Sequence, residues 1–192
     1  MQFTQTVLGV LLLMCFLPLS SQAQELLKEE KERRIKFNEM PQSAQDYLEI
    51  WLDKSRRVRY YYETDGEHSS YEAKLIRDRR RFSIEFDEAG KLEDIEELID
   101  FNQISDTVKQ AIHSFLIENY GKYSVQRVQR QFLASQSKSY TQLTEEKIGN
   151  YELEINLTEK SRLQSYEMLF DASGRLKQKR LIVRRSLDNF LY

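Results

Sequence analysis

The chain has 192 residues, enough for one ordinary domain or two small ones. Its 29 basic and 31 acidic side chains leave a formal charge of −2, so no global field draws it to nucleic acid or to an anionic membrane surface. Charged residues make up 31% of the chain, but 11 Tyr and 10 Phe supply the apolar bulk that disordered chains lack.

The first 23 residues carry no charged side chain. Their apolar run from Val7 to Leu19 is followed by the small residues Ser21 and Ala23, spaced for signal-peptidase cleavage. A membrane span takes about 20 apolar residues, and this run is shorter, so export with removal of residues 1–23 is expected, leaving no membrane anchor. No Lys or Arg precedes the run, so positive charge there comes from the amino terminus alone. Cys15 is the only cysteine, and Leu12, Leu13 and Met14 before it lack the small residue of a lipoprotein signal. Cleavage after Ala23 leaves a mature chain without a thiol, which excludes disulfides, Cys–zinc sites and thiol catalysis.

Residues 24–34 (QELLKEEKERR) are charge-dense without a useful apolar face and read as a solvated helical or disordered lead-in. Ile35-Lys36-Phe37 follows as a short alternating stretch, and Pro41 suits the first position of a helix. From Pro41 to about Leu52 the spacing of Ala44, Tyr47, Leu48, Trp51 and Leu52 predicts a helix with one apolar side. Val108, Ala111, Ile112, Phe115 and Leu116 predict a second helix over about 105–120, each 64 positions after its counterpart.

Period-two alternation predicts strands at Val58–Glu63, Tyr71–Leu75 and Phe82–Asp87, and again at Tyr123–Phe132, Tyr151–Ile155 and Tyr166–Asp171. Both third strands end in Phe-Asp-x-x-Gly-basic-Leu, at 86–92 and 170–176. There Asp bonds the turn backbone and Gly supplies a positive φ, so Asp87 and Asp171 read as hairpin formers rather than catalytic acids. Returning strands start at Leu92 and Leu176. The offset grows from 64 to 84 by this turn, which places insertions at 134–149 and 158–164. The expected fold is therefore α+β: a tandem repeat over 35–101 and 102–192, each a helix packed on one face of a four-stranded antiparallel sheet.

Those tandem units, with their Tyr-Glu strands (Tyr71-Glu72, Tyr151-Glu152) and Phe-Asp-x-x-Gly turns, resemble the PepSY-like family of small secreted bacterial proteins, grouped as β-lactamase-inhibitor-like. The resemblance covers about Ile35 to Val183. It implies export across the inner membrane of a Gram-negative bacterium, a binding or inhibitory role, and no established enzymatic activity. The chain departs from the family where an Asn-Gly turn is usual: Asp78-Arg79-Arg80-Arg81 and Glu159-Lys160-Ser161-Arg162 are longer and charged. Leu92 and Leu176 replace an aromatic residue after the Gly turn.

Chemistry-bearing residues are few. His113 falls opposite the apolar side of its helix, and His68 lies in a hairpin beside Ser69 and Ser70, where sequence neighbours do not make a triad. The acidic stretch Glu93, Asp94, Glu96, Glu97 and Asp100 offers no contrast between a neutral and an ionised carboxyl. It reads as a solvated strand edge that discourages edge pairing. It also lacks the calcium loop D-x-D-x-D-G with its distal Glu. Basic clusters at Arg56, Arg57 and Arg59, at Arg77 and 79–81, and at 177–185 read as cross-strand charge pairs. No phosphate-cradling loop is built from the 6 glycines. No catalytic residue, metal or cofactor is indicated.

If each helix covers one side of its sheet, the other side is free. Turning Val58, Tyr60 and Tyr62 inward turns Arg59, Tyr61, Glu72, Lys74, Ser83 and Glu85 outward. Arg59, Tyr61, Lys74 and Glu85 are the candidate protein-binding face, since Tyr and Arg are favoured interface anchors. The expected function is a secreted, non-enzymatic binding module, inhibitor-like or chaperone-like towards another exported protein. The alternative is a periplasmic carrier or sensor of a small ligand or peptide.

Overall fold

A computed structural model describes residues 26–134, 140–143, 148–159 and 161–183. The leader with Cys15, most of the 134–149 loop and the basic pair Arg184 and Arg185 lie outside the described residues. Among the described residues no helix is long and apolar enough to cross a membrane.

The first strands are short: β1 (Leu26–Lys28) and β2 (Glu30–Ile35). Helix α1 (Gln42–Leu52) precedes β3 (Ser55–Asp65), β4 (His68–Arg77), β5 (Arg80–Asp87) and β6 (Leu92–Leu98). Helix α2 (Asp106–Tyr120) precedes β7 (Tyr123–Leu133), β8 (Ile148–Glu159), β9 (Arg162–Asp171) and β10 (Leu176–Ile182). Both helices and eight strands thus stand within a few residues of their predicted places.

Their arrangement overturns the expected α+β pair of units. All ten strands form one sheet in the order β1-β10-β9-β8-β7-β6-β5-β4-β3-β2. The protein is mainly β, with two helices laid on a single nearly closed, barrel-like sheet. Between the two expected units, β6 and β7 pair antiparallel from Asp94–Leu133 to Leu98–Gln129, so the sheet is continuous.

The lead-in expectation also fails, and this failure explains the closure. β1 pairs in parallel with β10 at one edge, β2 pairs antiparallel with β3 at the other, and only Glu29 separates β1 from β2. One charged segment therefore spans both edges. Arg180 on β10 reaches Asp65 on β3 at 2.5 Å, and Asp65 also accepts the Glu29 amide at 2.8 Å. These strands lack an apolar period because their side chains meet charges: Glu32 takes Lys74, and Lys28 takes Glu30 and Glu167.

One face of the sheet carries the core. Ala44, Leu48 and Trp51 of α1, and Ile112 and Leu116 of α2, are fully buried against Ile84, Phe86, Ile95, Leu153, Met168 and Phe170. Each such large side chain contributes about 1.5–3 kcal/mol by leaving water. Trp51 meets Phe82 edge-on at 5.5 Å and Tyr140 at 5.7 Å.

The Phe-Asp-x-x-Gly turns form as expected. Asp87 Oδ1 accepts the amides of Ala89 at 3.0 Å and Lys91 at 2.9 Å, with Gly90 at φ 77°. Asp171 Oδ1 accepts those of Ser173 at 2.8 Å and Arg175 at 3.0 Å, with Gly174 at φ 84°. A Cβ on Gly90 would lie 2.4 Å from Ser43 Oγ and one on Gly174 2.9 Å from Val108 O. The glycines thus let each helix start sit on the turn. The β4–β5 hairpin corrects another expectation: it is a two-residue turn, with Asp78 at φ 49° and Arg79 at φ 66°, not a longer loop.

Candidate functional site: an acid-lined cavity

Strand alternation sends the remaining side chains to the opposite face. Two register rows cross it, Tyr61–Glu72–Glu85–Asp94 and Arg59–Lys74–Ser83–Glu96. The expected inward set agrees, since Val58, Tyr60 and Tyr62 pack with the core. The expected open surface does not. Curling of the sheet turns this face into the wall of a cavity of about 280 Å³.

Eight carboxylates line that cavity, from Glu30, Glu63, Asp65, Glu72, Glu85, Glu96, Glu152 and Glu167, against the cations Lys28, Lys74, Arg127 and Arg180. Glu85 sits within it. Lys74 Nζ lies 2.8 Å from Glu72 and 2.5 Å from Glu32, and 4.9 Å from the centre of the Tyr61 ring. Arg59 is exposed at the outer end of its row.

The acids outnumber the cations that could neutralise them, and burial disfavours the ionised form. Burial, then a hydrogen bond shared with Glu72 and repulsion from it, pushes Glu63 up to about 11. Asp94 rises to about 7 through burial and the charges of Glu152, Glu93 and Glu72. Glu152 also rises to about 7, through burial and Glu167. Glu85 and Glu96 stand well above the usual carboxylate range for the same reasons. Burial alone would lower the Lys28 ammonium, but Glu152, Glu167 and Glu30 outweigh it and hold the group charged. Among the described residues, the side chains of Glu85 and Glu152 make no hydrogen bond or close ion pair, and feel Lys28 only at longer range.

The acidic stretch is therefore no solvated edge. β6 lies in the middle of the sheet, and Glu96 and Glu97 are only 5% and 3% exposed. Glu97 points to the helix-covered side, where Arg80 Nε donates to it at 2.5 Å and Arg130 Nε at 2.7 Å. These guanidiniums overcome burial and hold its carboxyl below the usual range.

Exposed His113 shares a 2.6 Å hydrogen bond with the Tyr123 hydroxyl. His68 stands at the cavity mouth, 3.8 Å from Glu93. Sequence reasoning did not single out Glu63, Glu152 or Glu167. The available signal was a glutamate at the polar position of strand after strand, as in Tyr71-Glu72, Tyr151-Glu152 and Tyr166-Glu167.

No family model and no curated protein matches the chain. Solved structures do match in fold. A DUF2874 family protein from Bacteroides ovatus is 14% identical, covers 74% of this chain and 87% of its own, and superposes with a TM-score of 0.52. A Bacteroides eggerthii protein named for the periplasm gives 12%, 74%, 88% and 0.50 for the same measures. A BLIP-like protein from Bacteroides fragilis is 16% identical over 79% of this chain and 92% of its own, with a TM-score of 0.49. For the first two, at these identities, the likeness is one of fold.

Proposed function

We propose that this chain is an exported, non-enzymatic binding protein of the periplasm, inhibitor-like or chaperone-like, that takes a basic side chain of another exported protein into its acid-lined cavity. The observation that carries the reading is the excess of carboxylates around a cavity of about 280 Å³. A lysine or arginine side chain entering there brings a cation to Glu85 and Glu152, whose side chains form no ion pair among the described residues. Tyr61 and Arg59, on the same face, extend the surface along which the partner's backbone would lie. The apolar leader supports export, and a protein of like fold named for the periplasm supports the compartment.

Fluorescence anisotropy with a labelled Gly-Ser peptide carrying one central arginine tests this, against the same peptide carrying glutamate. Binding of the arginine peptide alone is expected, weakening with salt and falling roughly tenfold or more in a Glu85→Gln/Glu152→Gln variant. Equal binding of both peptides, or of neither, sinks the reading.

A further inference from the structure

We infer that Glu85, Asp94 and Glu96 form a site for a hard divalent cation on the face of β5 and β6 turned away from the helices. The three come from two adjacent strands: Glu85 lies directly opposite Asp94, and Ser83 opposite Glu96, so one face of β5 and β6 gathers all three. One carboxylate oxygen of each lies within 4.8 Å of the other two. Oxygens bound to calcium at about 2.3–2.6 Å stand up to roughly 5 Å apart across the ion, so the spacing fits without backbone movement.

A second observation bears on this cluster, and on Glu63 Oε1 of the other acidic group alike. Asp94 Oδ1 is buried with no hydrogen-bond partner, while Oδ2 accepts from Gln131 at 2.9 Å. A buried carboxylate oxygen left unpaired is costly, and a cation between the three groups satisfies it. Glu85 likewise makes no hydrogen bond or ion pair among the described residues, and Glu96 has the Gln129 amide on one oxygen.

The other acidic group, Glu30, Glu32 and Glu63, differs in already holding a cation. Lys74 Nζ lies 2.5 Å from Glu32 and 3.9 Å from Glu63. Among the described residues, no ammonium or guanidinium is bonded to Glu85, Asp94 or Glu96. Around them stand Glu72 of β4, Arg127 of β7, Glu152 of β8 and Lys28 of β1, and Arg127 is turned to Glu154 at 3.4 Å. A ligand set of oxygens alone selects calcium or magnesium over zinc or copper. The sequence shows no such site because its ligands are brought together by strand register rather than by a contiguous loop.

Cation binding here goes beyond the capture of a basic side chain and does not depend on it. Calorimetric titration of the mature full chain with CaCl₂ in metal-free buffer, with no peptide present, tests it separately. One ion per chain is expected, with a Kd of about 10⁻⁴–10⁻³ M as in extracellular calcium modules. Asp94→Asn and Glu96→Gln should each weaken binding at least tenfold, and Glu32→Gln, in the lysine-filled group, should leave it unchanged. Circular dichroism reports whether each variant folds, and either one of the first two suffices. Absence of binding at 10 mM CaCl₂, or binding indifferent to both substitutions, overturns the site.

Discussion

Glu96 and Glu97 are neighbours on the central strand β6, are equally buried, and belong to opposite worlds. Glu97 faces the helix-covered side among Phe82, Phe132 and Tyr140, and two guanidiniums hold it ionised. Glu96 faces the cavity among Glu85, Asp94 and Glu152, and burial with like charge moves its carboxyl well above the usual range. One face of the sheet stabilises the fold by removing apolar surface from water and pairing its few ions. The other stores unneutralised acid inside the barrel. Folding explains the first face, and the second costs stability that a ligand can recover.

The comparison can be broken most forcefully on the apolar face. Trp51 is fully buried against Phe82 and Tyr140, so Trp51→Ala should cost about 3–5 kcal/mol of unfolding free energy. Trp51 is the only tryptophan, so urea unfolding must be followed by circular dichroism. A cost below about 1 kcal/mol would mean that the helix is not seated as described. Glu97→Gln should rank next, at about 2 kcal/mol at pH 7, because it leaves Arg80 and Arg130 without their carboxylate. The Glu97 carboxyl is held below its usual value, so its contribution is present above the unfolded-state range near pH 4.5 and is lost as pH falls through the folded value.

How much of this was legible in the sequence divides along the same line. Wherever apolar residues keep a period, the reading succeeds: Ala44, Leu48 and Trp51 place α1, and Phe82, Ile84 and Phe86 place β5. The Asp87 and Asp171 turns were legible because their chemistry is local. What failed was non-local. Residues 26–35 become strands only through partners some 30 to 150 positions away, such as Lys28 with Glu167 and Glu32 with Lys74. Pairing of β6 with β7, which joins the two expected units into one sheet, leaves no mark in either strand alone. The face opposite the helices was read as a free surface rather than a cavity wall, because curvature is a property of the closed sheet.

A smaller effect sharpens the contrast on the cavity face. Asp94 and Glu152 have folded-state values near 7, above their unfolded ones. They favour folding fully below about pH 4, and this support is lost as pH rises from 4 through 7. Asp94→Asn should therefore match the parent protein at pH 4 and exceed it by roughly 1–2 kcal/mol at pH 8 in EDTA. Urea midpoints across that range give the curve. A variant less stable than its parent at pH 8 without metal would show that the Asp94 carboxylate is satisfied in the fold.

The smallest effect on stability falls at the rim, where Arg59 is exposed and Tyr61 half-buried. Arg59→Ala removes no described ion pair, and Tyr61→Ala removes the ring beneath Lys74 while Glu32 and Glu72 still hold its ammonium. Each should change the unfolding free energy by no more than about 0.5 kcal/mol. Their effect on the arginine peptide should be larger than that, a several-fold loss of affinity, because an aromatic face and a guanidinium outside the cavity have packing to gain only from a partner. Thermal melts and anisotropy on the same two variants compare the quantities directly. Unchanged capture in both would confine recognition to the acidic floor, and a melting temperature lowered by many degrees would return Tyr61 to the fold.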